Sequence, residues 1–560
     1  MSLRAATATV ALATAAAFFA APHAASAAAA GATAPYFESI ATLEKQMQAG
    51  RLTSVALTRD FIRRIKRLDQ SGPGVNAVIM LNPDALKVAA ERDRARKAGK
   101  AHGALWGIPI LVKDNMDTHD MPTTAGSLAL EGPPPPRDAT VVAKLRAAGA
   151  IILGKANLSE WANFRSTHST SGWSGVGGLT HNPYVLTRNA CGSSSGSGAA
   201  ESAGFATVTL GTETDGSLTC PSSVNGVVDI RGTLGLVSRA GIVPISHSQD
   251  DPGPMARNVT DAATVLSVLA GSDPRDPATA DADKHATDYT KFLKPGALKG
   301  KRIGVVCGIA GFDPNVDRVL DHSAAALKAA GATVMPVKLP HLHDYGKAEF
   351  TVLLYEFKHD LNQYLATRKG LKVHSLADII AFNRKHADRE MPWFGQELMI
   401  QAEAKGPLTD KAYKDALAKE KRLAGPEGID AALKAHHLDA LMAPASGPAW
   451  TTDLVNGDHI GGGGDSPAAV AGYPSITVPA GNVHGLPVGM TFFAGKWSAP
   501  TLIGIGYGFE QATKARIRPQ FLHHAPVAAT VPTLAEKEGD APKLDVPASP
   551  PAVCKSSNGG

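Results

Sequence analysis

"ATVVAKLRAAGAIILGKAN", residues 139–157, decides the fold class. It reads as a helix, a break at Gly149 and an apolar strand from Ala150 to Gly154. Just upstream, "LWGIPILVKDN" (105–115) reads as a buried strand, apolar for several residues and ending at Lys113-Asp114-Asn115. Strand, helix and strand in close succession argue for an α/β sheet with helices on both faces. The flanks agree. From Tyr36 to about Lys100 the pattern is helical. "TSVALTRDFIRRIKRLDQ" has a Thr53 cap and an apolar face of Leu57, Phe61, Ile65 and Leu68. "NPDALKVAAERDRARKAGK" predicts a helix with Pro83 in its first turn and Gly99 past its basic end. Downstream, "AAESAGFATVTLGTET" (199–214) predicts a small-residue helix and an apolar strand. Residues 301–340 repeat strand, loop, helix and strand, residues about 345–435 read as a helical insertion, and "PSITVPAGNVHGLPVGMTFFAG" (474–495) predicts a hairpin.

The whole chain sets bounds. It has 560 residues, 44% hydrophobic and 19% charged, a globular composition. The 56 basic and 51 acidic residues are interspersed, so there is no nucleic-acid footprint. Residues 1–27 read as a secretory signal peptide. Arg4 supplies the basic start, an apolar run spans Ala5 to Ala21, and Ala25-Ser26-Ala27 precedes a cleavage point before Ala28. This predicts a periplasmic or secreted protein with no membrane anchor after cleavage. The main folded domain is expected over 36–520 and a disordered Pro/Ala-rich tail over 525–560. The four cysteines form neither a disulfide framework nor zinc spacing. Small buried thiols are the expectation, with Cys191 and Cys220 the pair that an oxidising compartment would permit.

"NACGSSSGSGAAESAG" (189–204) raises the functional question. A phosphate cradle needs a lysine after the final glycine, and none follows Gly198. Gly192-Ser193-Ser194-Ser195-Gly196 matches G-x-S-x-G with Ser194 central, an esterase elbow. That elbow needs a preceding strand, and "HNPYVLTRNA" does not read as one. A third reading couples the loop to Ser217 in "LGTETDGS" and to Lys113 at the end of its strand.

Here the chain resembles the amidase signature family. The resemblance rests on "GIPILVKDN", "CGSSSGSGAA", "LGTETDGS" and "SPAAVAGYPSITVPAG", collinear from roughly Tyr36 to Thr513. The variants "CGSSSGSG" and "TETDGS" resemble those of bacterial peptide amidases. The resemblance implies a large mixed twisted β-sheet covered on both faces by α-helices. It implies a Ser-cisSer-Lys triad, which falls on Ser217 as nucleophile, Ser193 as the cis serine and Lys113 as base. Ser194 falls on a supporting position, and Ser195 and Ser197 on incidental ones. Thr214, Asp215, Gly216 and Ser217 would offer backbone N–H groups to an oxyanion. No metal and no cofactor is implied. The expected reaction is hydrolysis of a carboxamide on a small molecule or peptide to carboxylate and ammonia.

The chemistry explains the residue types. A serine hydroxyl needs a base to become a nucleophile. Lysine serves only when neutral, so burial and neighbouring positive potential must lower its pKa from about 10.4. Two departures leave the substrate pocket open: Thr219 stands where the family has arginine, and "DIRGT" (229–233) replaces "GLKPT". Asp215 replaces a glycine, reading either as a local turn former or as a hydrogen-bond partner for substrate. His168, His181 and His247 lie near the motifs and read as loop or supporting residues rather than triad members. "HLH" at 341–343 lacks metal-ligand spacing. Two alternatives stay open: an esterase using Ser194 and a histidine, and a non-catalytic periplasmic binding protein on the same scaffold. A subunit of a tRNA-amidating complex fits poorly with export.

Overall fold

The computed structural model describes residues 35–526 and 550–555. The predicted signal segment and most of the predicted tail lie outside the described residues. The strands are β1 (Val78–Leu81), β2 (Pro109–Lys113), β3 (Ile151–Ala156), a short ribbon of β4 (Trp173–Ser174) and β5 (Gly178–Leu179), β6 (Val208–Glu213), β7 (Val228–Arg231), β8 (Asp251–Ala256), β9 (Arg302–Val306), β10 (Thr333–Val337), β11 (Ala440–Pro444), β12 (Ser475–Val483) and β13 (Leu486–Phe493). Eleven of them form one mixed sheet in the order β1-β3-β2-β6-β8-β7-β12-β13-β11-β9-β10.

The sheet has two parallel blocks. β2 runs parallel to both β3 and β6, and β9 runs parallel to both β10 and β11. The antiparallel strands β8, β7, β12 and β13 join the blocks. Every residue of β2, β3 and β6 is buried, as parallel strands covered on both faces require. Leu57, Phe61 and Ile65 of helix Ser54–Leu68 and Leu266 and Leu269 of helix Val259–Leu269 join Ile110 and Ile151 in the main apolar core. A second core packs Phe357 and Leu361 of helix Gly346–Thr367 against Ile379 and Met399 of the helices that follow.

The α/β alternation around residues 105–157 and the hairpin of β12 and β13 are as expected. Thr53 caps its helix by accepting from Ala56 N–H at 3.0 Å. Three expectations need correction. The stretch from 36 to 100 is not helical throughout, because β1 pairs antiparallel with β3 at the sheet edge. The four residues of Val78–Leu81 are too few for periodicity to register. The helix after Pro83 begins at Ala85, so Pro83 precedes it. The cysteines are not free: Cys191 bonds to Cys220 and Cys307 to Cys554. The second bond holds the short helix Ala552–Lys555, within the segment expected to stay unpacked, against the body.

Candidate active site

The carboxyl ends of β2 and β6 lie side by side because the two strands are parallel neighbours. Ligand sites in such sheets gather at these ends, where loops leave the sheet with their backbone groups unpaired. Lys113 is the last residue of β2 and is fully buried. Its Nζ lies 2.8 Å from Ser193 Oγ, 3.0 Å from Ser194 Oγ and 2.8 Å from Thr212 Oγ1. Burial lowers its pKa to about 7, against the opposing pull of Asp250 and Glu213. The positive potential expected from the sequence is thus not the cause; desolvation alone carries the shift.

Ser193 follows a cis peptide bond from Gly192 and is fully buried. The helix Ser195–Ala203 starts two residues later, and its Gly196 packs on the backbone of Ala77 and Asn157. A Cβ there would stand 2.4 Å from Ala77 O, so only glycine lets the loop sit against the sheet. Ser194 N–H donates to Ser217 O at 3.2 Å, which ties the two serine loops together. The Cys191–Cys220 disulfide ties them a second time. Ser194 Oγ donates to Thr212 O at 3.0 Å and is fully buried, so it points into the protein and not into a cleft.

Ser217 follows β6 and lines a cavity of about 320 Å³ with Gly192, Asp215, Gly216, Ser446 and Asp465. Among the described residues, none accepts a hydrogen bond from the Ser217 hydroxyl or from the backbone N–H groups of Asp215, Gly216 and Ser217. Glu213 organises this turn from below. Its Oε2 accepts from Leu218 N–H at 2.8 Å and Thr219 N–H at 2.9 Å, satisfying the start of helix Thr219–Asn225. Its Oε1 pairs with buried Arg231 at 3.4 Å. Arg231 belongs to the "DIRGT" departure, so that stretch supports the turn from behind. Thr219, the other departure, is fully buried.

Asp215 accepts from Ser466 Oγ at 2.8 Å, a longer-range contact than a local turn would need. It stands beside Glu349 and Asp465, whose pKa values lie well above the usual carboxylate range. Burial is the main cause and the charge of Asp215 the next. Thr214 Oγ1 donates to Asp250 Oδ1 at 2.6 Å, and burial raises Asp250 to about 6.

The histidines lie elsewhere. His168 is exposed near Glu397, His181 contacts Leu186 O, and His247 contacts Asp360 and Glu356. Among the described residues no histidine hydrogen-bonds to Ser193, Ser194 or Ser217. Sequence reasoning missed Thr212 and Glu213, although both stand inside "LGTETDGS". It also missed Glu349 and Asp465, which reach Asp215 from distant segments with no spacing to mark them. A metal-competent group went unseen too: His247, His359 and Asp360 bring their ligand atoms within 4.8 Å of one another.

The Amidase family model matches residues 56–503. The native peptide amidase from Stenotrophomonas maltophilia is 52% identical with a TM-score of 0.83, over 86% of this chain and 98% of that one. A structure of the peptide amidase PAM with the competitive inhibitor chymostatin is 52% identical with a TM-score of 0.85, over 87% of this chain and 100% of that one. A probable amidase from Arabidopsis thaliana is 42% identical, covering 84% of this chain and 89% of the relative. The chain belongs to the amidase family, and its activity is amide hydrolysis.

Proposed function

We propose that this protein is an exported amidase that hydrolyses the terminal carboxamide of peptides to carboxylate and ammonia through an acyl-enzyme on Ser217. The observation that carries the mechanism is the buried Lys113 Nζ, 2.8 Å from Ser193 Oγ, beside the cavity that holds Ser217. Neutral Lys113 accepts the Ser193 proton while Ser193 takes the proton of Ser217. Ser217 Oγ bonds to the amide carbon. The N–H groups of Asp215, Gly216 and Ser217 receive the resulting oxyanion, each donor contributing about 3 kcal/mol. The proton returns through Ser193 to the amide nitrogen, the C–N bond breaks and ammonia leaves. Water then hydrolyses the ester by the same relay and restores Ser217.

The peptide substrate rests on the likeness to the peptide amidases. Export rests on the sequence of residues 1–27. The test compares wild type, Ser217→Ala and Ser194→Ala for ammonia release from a peptide amide, with a fluorophosphonate label located by mass spectrometry. Label on Ser217 and a loss of at least about a thousandfold in Ser217→Ala are expected. Label on Ser194, or a Ser194→Ala variant as inactive as Ser217→Ala, would transfer the chemistry to the elbow serine.

A further inference from the structure

About 590 Å³ of open volume lies beyond Thr214 and Ile245, which it shares as walls with the Ser217 cavity. At its rim, a loop and a helix bring two imidazoles onto one carboxylate. His247 comes from the loop between β7 and β8, and His359 and Asp360 from helix Gly346–Thr367. His247 Nδ1 lies 2.8 Å from Asp360 Oδ2, and His359 Nδ1 lies 2.8 Å from Asp360 Oδ1. Both rings therefore aim the same nitrogen at the same group.

We propose that His247, His359 and Asp360 form a binding site for a transition-metal ion of the zinc class, held by the two Nδ1 atoms and an Asp360 oxygen. Imidazole and carboxylate are ligands for such ions, and solvent at the cavity rim supplies the fourth position. The far side of each ring has a group within reach that can accept its proton. A metal-bound imidazole carries its proton on the other nitrogen and donates it to an outer acceptor. His247 Nε2 lies 3.2 Å from Oε1 of buried Glu356. His359 Nε2 lies 3.0 Å from the side-chain amide of Gln363, one turn along the helix, whose oxygen can face the ring by an amide flip. Binding shifts each ring proton from Nδ1 to Nε2. It then opens the nitrogen–oxygen spacing from 2.8 Å toward the roughly 3.3 Å of a tetrahedral site. The partly exposed histidines, at 42% and 41% side-chain accessibility, have room for that movement.

The ion would be a tie. The loop that carries His247 also supplies Asp250, which holds the Thr214 hydroxyl. Fixing His247 to helix Gly346–Thr367 fixes the wall between the larger cavity and the Ser217 cleft.

The test is calorimetric titration of tag-free, EDTA-treated and desalted protein with zinc chloride, alongside thermal unfolding with and without zinc. Wild type is expected to bind one ion per chain with micromolar or tighter affinity and to unfold at a higher temperature with zinc. His359→Ala and His247→Ala should each weaken binding at least tenfold and remove the thermal shift. His359 is half exposed on a helix surface, so His359→Ala decides the matter if His247→Ala folds poorly. Absence of stoichiometric binding in wild type, or wild-type affinity in His359→Ala, would overturn the proposal.

Discussion

The activity should rise with pH around neutrality, and Lys113 sets where. Its amine is fully buried, and its pKa falls from 10.5 to about 7 because the charged form has lost its water. Keeping it charged in this site costs about 5 kcal/mol more than in solution, at 1.36 kcal/mol per pKa unit. Only the neutral amine accepts a proton from Ser193. About one tenth of molecules carry it at pH 6 and about nine tenths at pH 8, by the ordinary titration of a group at about 7. The kcat/KM for ammonia release from a peptide amide should therefore rise about tenfold between pH 6 and pH 8, then level off. The sign for stability agrees. Between pH 7 and 10.5 the unfolded lysine holds a proton that the folded one has released, so stability gains with pH in that window. Lys113→Met removes both effects: activity falls to a trace, and the stability slope over that window is reduced. A flat kcat/KM profile from pH 6 to 8, or a rising limb centred near 10, would refute the argument from desolvation.

Gly216→Ala should lower kcat/KM at least about a hundredfold. Gly216 has φ +78°, and a Cβ there would stand 2.4 Å from Asp465 Oδ2, so the backbone carrying the free N–H groups must move. Activity within threefold of wild type would show that the turn tolerates the shift. Glu213→Ala leaves Arg231 buried without its carboxylate and strands two helix-start N–H groups. It should cost about 3–5 kcal/mol, read from the urea midpoint, and an unchanged midpoint would contradict it.

Much of the framework is legible because burial writes itself into local pattern. The run from Pro109 to Val112 and the run from Ala150 to Leu153 are apolar because both faces of a parallel strand are covered. β1 was invisible: four edge residues carry no period. Lys113, Ser193 and Ser217 are legible through a long collinear resemblance, since side chains 80 and 24 residues apart have no local signature. The carboxylates around Asp215 follow a different logic. Glu349 arrives from the helical insertion and Asp465 from the start of helix Ser466–Ala471, and nothing near Asp215 in sequence forces either to be there. The pairing of Cys307 with Cys554 is likewise set by the end of β9 meeting a segment 247 residues further on, beyond any spacing rule.

The Cys191–Cys220 bond gives the cleft two unlike sides. Both cysteines line the Ser217 cavity, one from the loop that leads into Ser193 and the other from the helix that follows Ser217. The distance between those backbones is set by covalent bonds, so the side that holds the reacting hydroxyls behaves as an anvil. Gly462 and Gly463, with φ +79° and +156°, also line this cavity and are joined to that side by no such bond. Because covalent bonds hold the serine side, substitutions in the glycine segment reshape the cavity with the least disturbance to the spacing that proton transfer requires.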